Sequence, residues 1–157
     1  MKLSTALFAS VVAICCLSCS VDTGDTSIHT DDMFSDTKKA AEQGDALAQT
    51  MLGSIYANGD FGVPKDDTEA VMWYRKAAEQ GNAYAQYVLG LKYELGEGVS
   101  QDYVEAYMWF NIAESNDDKQ AKETRDKLLP KMSQEQIAEA QTMSTKWLED
   151  FEKKNKE

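Results

Sequence analysis

The sequence predicts an all-α fold made of repeated pairs of antiparallel helices. Two observations predict it: a stretch of the chain recurs at an offset of 37 residues, and the apolar residues of each copy follow helical spacing. The 157 residues contain only two prolines and no series of short alternating β-branched segments, which argues against an all-β sandwich. A hydrophobic content of 43% is sufficient for a packed core.

The internal repeat decides the architecture. Residues 39–46 read KAAEQGDA and recur as KAAEQGNA in residues 76–83. Beyond a glycine-rich loop the offset falls from 37 to 36, because the first copy carries one extra residue near Asp60-Phe61. Such an insertion costs little in a loop. The repeated unit is therefore a structural module larger than one helix.

Each full repeat, about 45–81 and 82–117, is predicted to form two helices. Helix A of the first repeat runs from about Asp45 to Asn58. Helix B starts at Asp66, whose carboxylate suits an N-cap, and Asp102 holds the same place in the second repeat. The short turn between repeats makes neighbouring helices antiparallel.

Four glycines indicate how the helices meet. Gly44 and Gly81 end helices as residues in the left-handed conformation, which glycine adopts without a Cβ clash. Gly53 and Gly90 lie inside helix A, where glycine costs about 1 kcal/mol relative to alanine, so their recurrence predicts a close backbone approach by helix B. Four aromatic residues are expected to fill the core around them: Trp73, Tyr74, Trp109 and Phe110.

A longer pattern covers both helices and their loop: Ala48-Gln49-x-x-Leu52-Gly53-x-x-Tyr56-x-x-Gly59, then Gly62-Val63-x-x-Asp66-x-x-x-Ala70-x-x-Trp73-Tyr74-x-x-Ala77-Ala78-x-x-Gly81. The second copy matches from Ala85 to Ala113. The pattern resembles the Sel1-like repeat (SLR), a relative of the tetratricopeptide repeat. The resemblance implies a right-handed α-solenoid whose concave groove contacts other proteins. It also implies an adaptor, often exported by bacteria.

The two ends of the predicted SLR domain, 33–153, depart from the repeat. Residues 33–43 resemble only helix B and form a half-repeat. The segment 118–153 is predicted to be a C-terminal cap, because solenoids need atypical ends with one polar face. Its first helix ends before Pro130, and its second is capped by Ser133. The apolar stripe of that second helix is Ile137, Ala140, Ser144, Trp147, Leu148 and Phe151.

The N-terminus is predicted to be a targeting segment. Residues 1–19 combine Lys2 with an apolar run of 11 residues, Leu7 to Leu17, which is the size of a signal-peptide core. Cys19 follows a small residue directly after this run, as in a bacterial lipobox, and is the candidate lipidation site. The alternative is ordinary cleavage after Ser18 or Ser20. Both alternatives place the mature protein in the cell envelope, in the periplasm or as an outer-membrane lipoprotein.

Residues 20–32 are polar and acidic, and are predicted to form a flexible tether. His29, the only histidine, lies in this tether without a fixed position, so we expect it to be functionally silent. All three cysteines lie within the leader, which excludes an intramolecular disulfide in the mature chain.

Composition and motifs argue against several functional classes. The formal net charge is −11, which disfavours binding to nucleic acid or to anionic lipid, so a membrane contact would be made only through an N-terminal lipid. Without a placed histidine or cysteine there is no Ser-His-Asp or Cys-His set. The acidic pairs Asp66/Asp67 and Asp117/Asp118 stand at helix starts, where they cap helices. We therefore predict no catalytic residue, metal site or cofactor.

The second repeat offers the candidate partner-binding residues. In the tetratricopeptide register, the groove-facing positions of its helix A hold Tyr84, Tyr87, Leu91 and Glu94. The first repeat has Leu47, Thr50, Ser54 and Ala57 there. Exposed aromatic patches mark contact sites, which favours a binding surface. The alternative is that the cap helix, residues 118–129, covers these side chains as core.

The predicted function is a non-catalytic protein–protein interaction module of the bacterial cell envelope, acting as a monomer. Its short groove suits a peptide or one helix of a partner protein. The sequence is also compatible with two alternatives: a cell-wall-directed enzyme that hydrolyses peptidoglycan or β-lactams through carboxylates, and a structural stability factor of an envelope complex.

Overall fold

The computed structural model describes residues 26–156, and the side chains of 32–156. This part of the chain holds seven α-helices and one 3-10 turn, and no strand. The helices are α1 (Thr26–Glu42), α2 (Ala46–Asn58), α3 (Asp67–Glu79), α4 (Ala83–Leu95), α5 (Tyr103–Ser115), α6 (Lys119–Asp126) and α7 (Gln134–Lys154); the 3-10 turn is Leu129–Lys131. The predicted signal peptide with Cys19, and the tether up to residue 25, lie outside the described residues.

Consecutive helices pack in the order of a solenoid. The pairs α2/α3 and α4/α5 are the two full repeats, and α3 packs on α4 to join them. At the N-terminal end α1 packs on α2, and at the C-terminal end both α6 and α7 pack on α5. The all-α solenoid of helix pairs that the sequence predicts is therefore confirmed.

Helix starts and turns follow the sequence closely. Asp45 caps α2 by accepting a 2.7 Å hydrogen bond from the backbone N–H of Ala48. Asp66 caps α3 by accepting from two backbone N–H groups. Gly44 (φ 98°) and Gly81 (φ 87°) hold the predicted left-handed conformation at the turns between repeats. Local chemistry alone therefore places the helix boundaries of the repeats.

A buried glutamine joins each repeat to its neighbours. The Gln86 side-chain amide donates to the carbonyl of Ala78 at the end of α3, 3.0 Å away, and its oxygen accepts from Asn116 Nδ2 at 2.9 Å. Gln49 makes the equivalent pair of bonds, to the Ala41 carbonyl and from Gln80. Each glutamine thus satisfies a helix-end carbonyl, which would be costly to leave unpaired in a buried site.

The helix-A glycines do mark a close approach, although the approaching group is not backbone. A Cβ placed on Gly53 would lie 3.0 Å from the ring of Tyr74, and one on Gly90 only 2.6 Å from the ring of Phe110. The expectation of a backbone approach is therefore corrected: an aromatic ring of helix B rests on each glycine. A ring projects further from its helix than the backbone does, so it reaches the glycine first.

The core consists of one large and one small cluster. The large cluster spans α3 to α7, and the small one joins α1, α2 and Trp73. All four aromatic residues predicted to be core are buried: Trp73, Tyr74, Trp109 and Phe110. The apolar stripe of α7 also packs inward, with Ala140 and Ser144 fully buried.

Two element boundaries differ from the prediction. Helix α1 begins at Thr26, so residues 26–32, including His29, are helical rather than part of a flexible tether. A helix held by packing, as α1 is by α2, can extend beyond its buried face. Helix α6 ends at Asp126 rather than Leu129, because Lys127 and Leu128 make i→i−3 bonds that tighten the chain before the 3-10 turn that holds Pro130.

Candidate partner-binding face

The exposed surfaces of α2 and α4, called here the helix-A face, are almost free of charge. Helix α2 reads ALAQTMLGSIYAN and has no charged residue, while α4 has only Lys92 and Glu94. The exposed large apolar side chains on this face are Leu47, Met51, Tyr84 and Leu95. An uncharged surface with exposed apolar side chains is the kind of surface that protein partners bind.

Of the predicted binding residues, Tyr84 is the most open, with 55% of its surface exposed. Leu47 holds the same position in the first repeat and is 69% exposed. The two full repeats therefore present an apolar side chain at the same place, and no described residue covers either one.

The other predicted residues are less accessible. Tyr87 is half-buried, with its ring centroid 5.7 Å from that of Phe110, and Leu91 packs against the same cluster. Glu94 forms a 3.0 Å ion pair with Lys131 in the 3-10 turn. This pair raises the pKa of Lys131 through its hydrogen bond and charge. The structure thus leaves Tyr84 exposed to solvent and sets the other three against the core or the cap.

One buried charge was not anticipated from the sequence. Lys92 occupies the position that Ile55 holds in the first repeat, and its side chain is only 10% exposed. Its ammonium group lies 2.7 Å from carboxylate oxygens of both Asp67 and Glu97. Burial lowers the pKa of Lys92, but the two carboxylates outweigh burial and the net shift is upward. The change from isoleucine to lysine between the two repeats is the feature of the sequence that could have indicated this buried charge.

These ion pairs hold the loop after α4 against the start of α3. The hydrogen bond from Lys92 is the main cause of the lowered pKa of Asp67. Lys65 is a second cation beside the Asp67 carboxylate, at 3.2 Å. The charged cluster has a structural role, because every charged group in it is already paired.

A second polar cluster replaces apolar packing at the C-terminal cap. Arg125 stands where the repeat pattern has leucine, and its guanidinium donates to Asn111 at 2.7 Å and pairs with Glu114. Asn111 in turn donates to Ser144 of α7 at 2.7 Å. The guanidinium also lies over the ring of Tyr107, with 5.5 Å between Cζ and the ring centroid. This network joins α5, α6 and α7 at the end of the solenoid.

Residues 32–156 offer little sign of other chemistry. No group of three or more histidine, cysteine, aspartate or glutamate side chains among the described residues is placed to hold a metal ion. Within the same part of the chain, no helix is both long and apolar enough to cross a membrane.

The helix pairs, the glycine–ring contacts and the repeated glutamine bonds define the class as an all-α solenoid of helix-pair repeats. A family model described as Sel1 repeat matches residues 37–45, 46–82 and 83–118. The chain belongs to the Sel1 repeat family. Sel1 repeats are in general non-catalytic adaptor repeats that mediate protein–protein interactions.

Two solved structures are similar to this chain. One is the crystal structure of c5321, a protective antigen of uropathogenic Escherichia coli strains with an SLR fold: 37% identity, TM-score 0.74, covering 82% of this chain and 27% of that one. The other is a Sel1 repeat protein from Oxalobacter formigenes: 42% identity, TM-score 0.56, covering 58% of this chain and 68% of that one. This chain therefore spans about a quarter of the length of the first. No curated protein sequence matches it.

Proposed function

We propose that this chain is a non-catalytic interaction module of the bacterial cell envelope, which binds a segment of a partner protein on its helix-A face. The observation that carries the proposal is the exposure of Tyr84 on α4. The two charged residues of this helix, Lys92 and Glu94, both form ion pairs. Tyrosine supplies a large amphipathic contact area and is enriched at binding hot spots. The general role of Sel1 repeats in protein contacts supports the same reading.

The location in the envelope rests on the leader, residues 1–19, with its apolar core and Cys19. Replacement of Cys19 by alanine should move the protein from the membrane fraction to the soluble periplasm if Cys19 is acylated. A wild-type protein that is already soluble would contradict lipidation and favour cleavage after Ser18 or Ser20.

Site-specific photocrosslinking in living cells tests the binding face. A photoreactive phenylalanine analogue at Tyr84 should give one discrete crosslinked species, because an anchor residue touches a single partner. Met72 is the matched control, since it is exposed on α3 rather than on the helix-A face. Equal crosslinking at Tyr84 and Met72 would contradict the proposal.

The enzymatic alternative is tested with the purified protein and two substrates, peptidoglycan and a chromogenic β-lactam. We expect no turnover of either. Turnover that survives Tyr84→Ala but is lost on changing carboxylates would favour a cell-wall enzyme instead. A fixed stoichiometry of the crosslinked partner in a larger complex would point to a stability factor.

A further inference from the structure

An apolar cavity opens at the N-terminal end of the solenoid, between α1, α2 and the loop that follows α2. Its volume is about 220 Å³. Met33 and Thr37 of α1 line one side, Met51 and Ser54 of α2 line the other, and Phe61 of the loop closes one end. Met33 and Met51 are about half exposed, so the cavity communicates with solvent.

The residues that line the cavity differ from those at the same positions one unit further along the solenoid. Thr37 lies in the N-terminal half-repeat, and its position in the first full repeat is held by Tyr74, which is buried. The position of Ser54 is held in the second full repeat by Leu91, which packs on the core. Phe61 belongs to the one-residue insertion and has no counterpart in the second repeat. The next unit thus has larger side chains at two lining positions, lacks the inserted residue, and has the smaller Ala70 and Val88 in place of the flexible Met33 and Met51.

The backbone at Phe61 is unusual for an aromatic residue. Its φ is 55°, in the left-handed region that glycine or asparagine normally occupies. A bulky residue held there is strained, and strain of this kind clusters at ligand-binding sites. The conformation places the Phe61 ring at the edge of the cavity, about one-third exposed.

The size and lining of the cavity suit one side chain of a partner. An apolar protein cavity of about 150 Å³ accepts a benzene ring, so this one can hold a phenylalanine, leucine or methionine side chain. Methionine side chains are flexible and adapt to different apolar ligands. Met33 and Met51 can therefore close around a guest without a change in the backbone.

Charge indicates what flanks that side chain. Asp60 is the charged residue of the lining, and within residues 32–156 its carboxylate accepts a hydrogen bond from Asn58 but forms no ion pair. Asp32 and Asp36, both exposed, lie within one helical turn of Met33 on α1. The exposed Lys38 and Lys39 follow Thr37 on α1, but the carboxylates of Asp32, Asp36 and Asp60 outnumber them, which favours a cationic partner.

The net negative charge of the two full repeats also favours a cationic partner. Residues 45–117 contain 12 acidic and four basic residues, a net charge of −8. The basic residues are already engaged with carboxylates, rings or a hydroxyl group: Lys65, Arg75, Lys76 and Lys92. None of these four cations forms an ion pair with Asp60.

We infer that this cavity is a binding pocket for an aromatic or large aliphatic side chain that lysine or arginine residues flank in a segment of a partner protein. The inference deepens the proposed function and rests on it. The buried side chain supplies affinity by leaving water, and the flanking cations meet Asp60, Asp36 and Asp32.

Methionine methyl resonances offer a direct test in the full chain, which has seven methionines. The probes are three peptides padded with Gly-Ser, with central sequences Lys-Lys-Phe-Lys-Lys, Glu-Glu-Phe-Glu-Glu and Lys-Lys-Ala-Lys-Lys. The first should shift the ε-methyl signals of Met33 and Met51 and leave Met72 unchanged. It should bind at least tenfold more tightly than the other two. Equal binding of the three peptides, or no response at Met33 and Met51, would overturn the inference.

A matched pair of variants separates filling of the pocket from loss of a hydrogen bond. Ser54 Oγ lies 2.9 Å from the Tyr74 hydroxyl, and both Ser54→Leu and Ser54→Ala remove this contact. Only leucine, the residue of the second repeat, fills the cavity. We expect Ser54→Leu to abolish the peptide response and Ser54→Ala to retain it. Loss in both variants would overturn the pocket assignment, and because Ser54→Ala is a mild change, that result does not depend on the leucine variant folding.

Other occupants give distinct results. Methyl shifts that change on dilution without peptide would indicate a second copy of the chain. Protection of Met33 and Met51, but not Met72, from a soluble paramagnetic agent in the free protein would indicate that the chain fills its own pocket. Either result overturns the inference. Crosslinking at Tyr84 without any response at Met33 and Met51 also overturns it, while leaving the proposed function standing.

Discussion

Gly90 of α4 and Phe110 of α5 are in such close contact that the glycine has no room for a methyl group. A Cβ on Gly90 would lie 2.6 Å from Cε1 of the Phe110 ring, and Phe110 itself is fully buried. At the equivalent contact of the first repeat, a Cβ on Gly53 would lie 3.0 Å from the Tyr74 ring. Both repeats therefore pack an aromatic ring on a glycine, and the first repeat leaves slightly more room for a larger residue there.

Gly90→Ala should lower the free energy of unfolding by about 1–3 kcal/mol through overpacking, despite the better helix propensity of alanine. Gly53→Ala should cost less, because its neighbour lies further away and the hydroxyl end of Tyr74 meets Ser54 near the surface. Urea unfolding of the two variants measures the difference, and Gly90→Leu should be worse than either. A neutral Gly90→Ala would mean that the ring can move aside at no cost.

Asp67→Asn should destabilise the protein at neutral pH by on the order of 1 kcal/mol, because it removes a partly buried carboxylate from Lys92. The pKa of Asp67 is lowered from 3.8, mainly by the Lys92 hydrogen bond. The stabilisation is therefore present above pH 3.8 and is lost as the pH falls through the lower folded-state value. Chemical unfolding at a series of pH values measures this.

The control for Asp67→Asn is Glu152→Gln, which breaks an ion pair with Lys156 in which both side chains are largely exposed. We expect no measurable change in stability from it, since exposed pairs of this kind contribute little. Equal effects of the two variants would show that Lys92 gains nothing from its buried position.

Glu105→Gln should raise the melting temperature at neutral pH. Burial raises the pKa of Glu105 above 4.5, and the attraction of Arg75 only partly opposes this. The folded state thus binds the proton more tightly than the unfolded state, so the wild type loses stability as the pH rises from 4.5 through the folded-state value. The advantage of the variant should disappear near pH 4. A lower melting temperature at neutral pH would mean that the Arg75 attraction outweighs burial.

Tyr84→Ala should leave the melting temperature within about 1–2 °C of wild type, because substitutions of exposed residues rarely alter stability. Tyr87→Ala should cost about 2 kcal/mol, because its ring packs on Phe110 and its loss leaves a cavity. Differential scanning calorimetry of the two variants, with Leu47→Ala as an exposed control, distinguishes these cases. A large loss from Tyr84→Ala would place this ring under cover and remove it as a binding anchor.

The repeats can be predicted from the sequence because the residues that begin and end their helices act locally. N-caps such as Asp45 and Asp66 and the left-handed Gly44 and Gly81 act within one helical turn, so their chemistry is visible in adjacent residues. The candidate binding residues were less predictable. Tyr84 and Tyr87 are three positions apart on one helix, yet only Tyr87 meets Phe110, which lies 23 residues further along the chain.

The sequence by itself determined the fold class, the two full repeats and the core aromatic residues, because helical spacing and caps depend on neighbours in the chain. Only the tertiary structure decided which side chains on the helix-A face stay open, how Lys92 is paired, and where a cavity remains. Those features depend on groups brought together from different helices. The cavity shows this most clearly: it is lined by Thr37 of α1, Ser54 of α2 and the inserted Phe61, which the sequence separates and packing brings together.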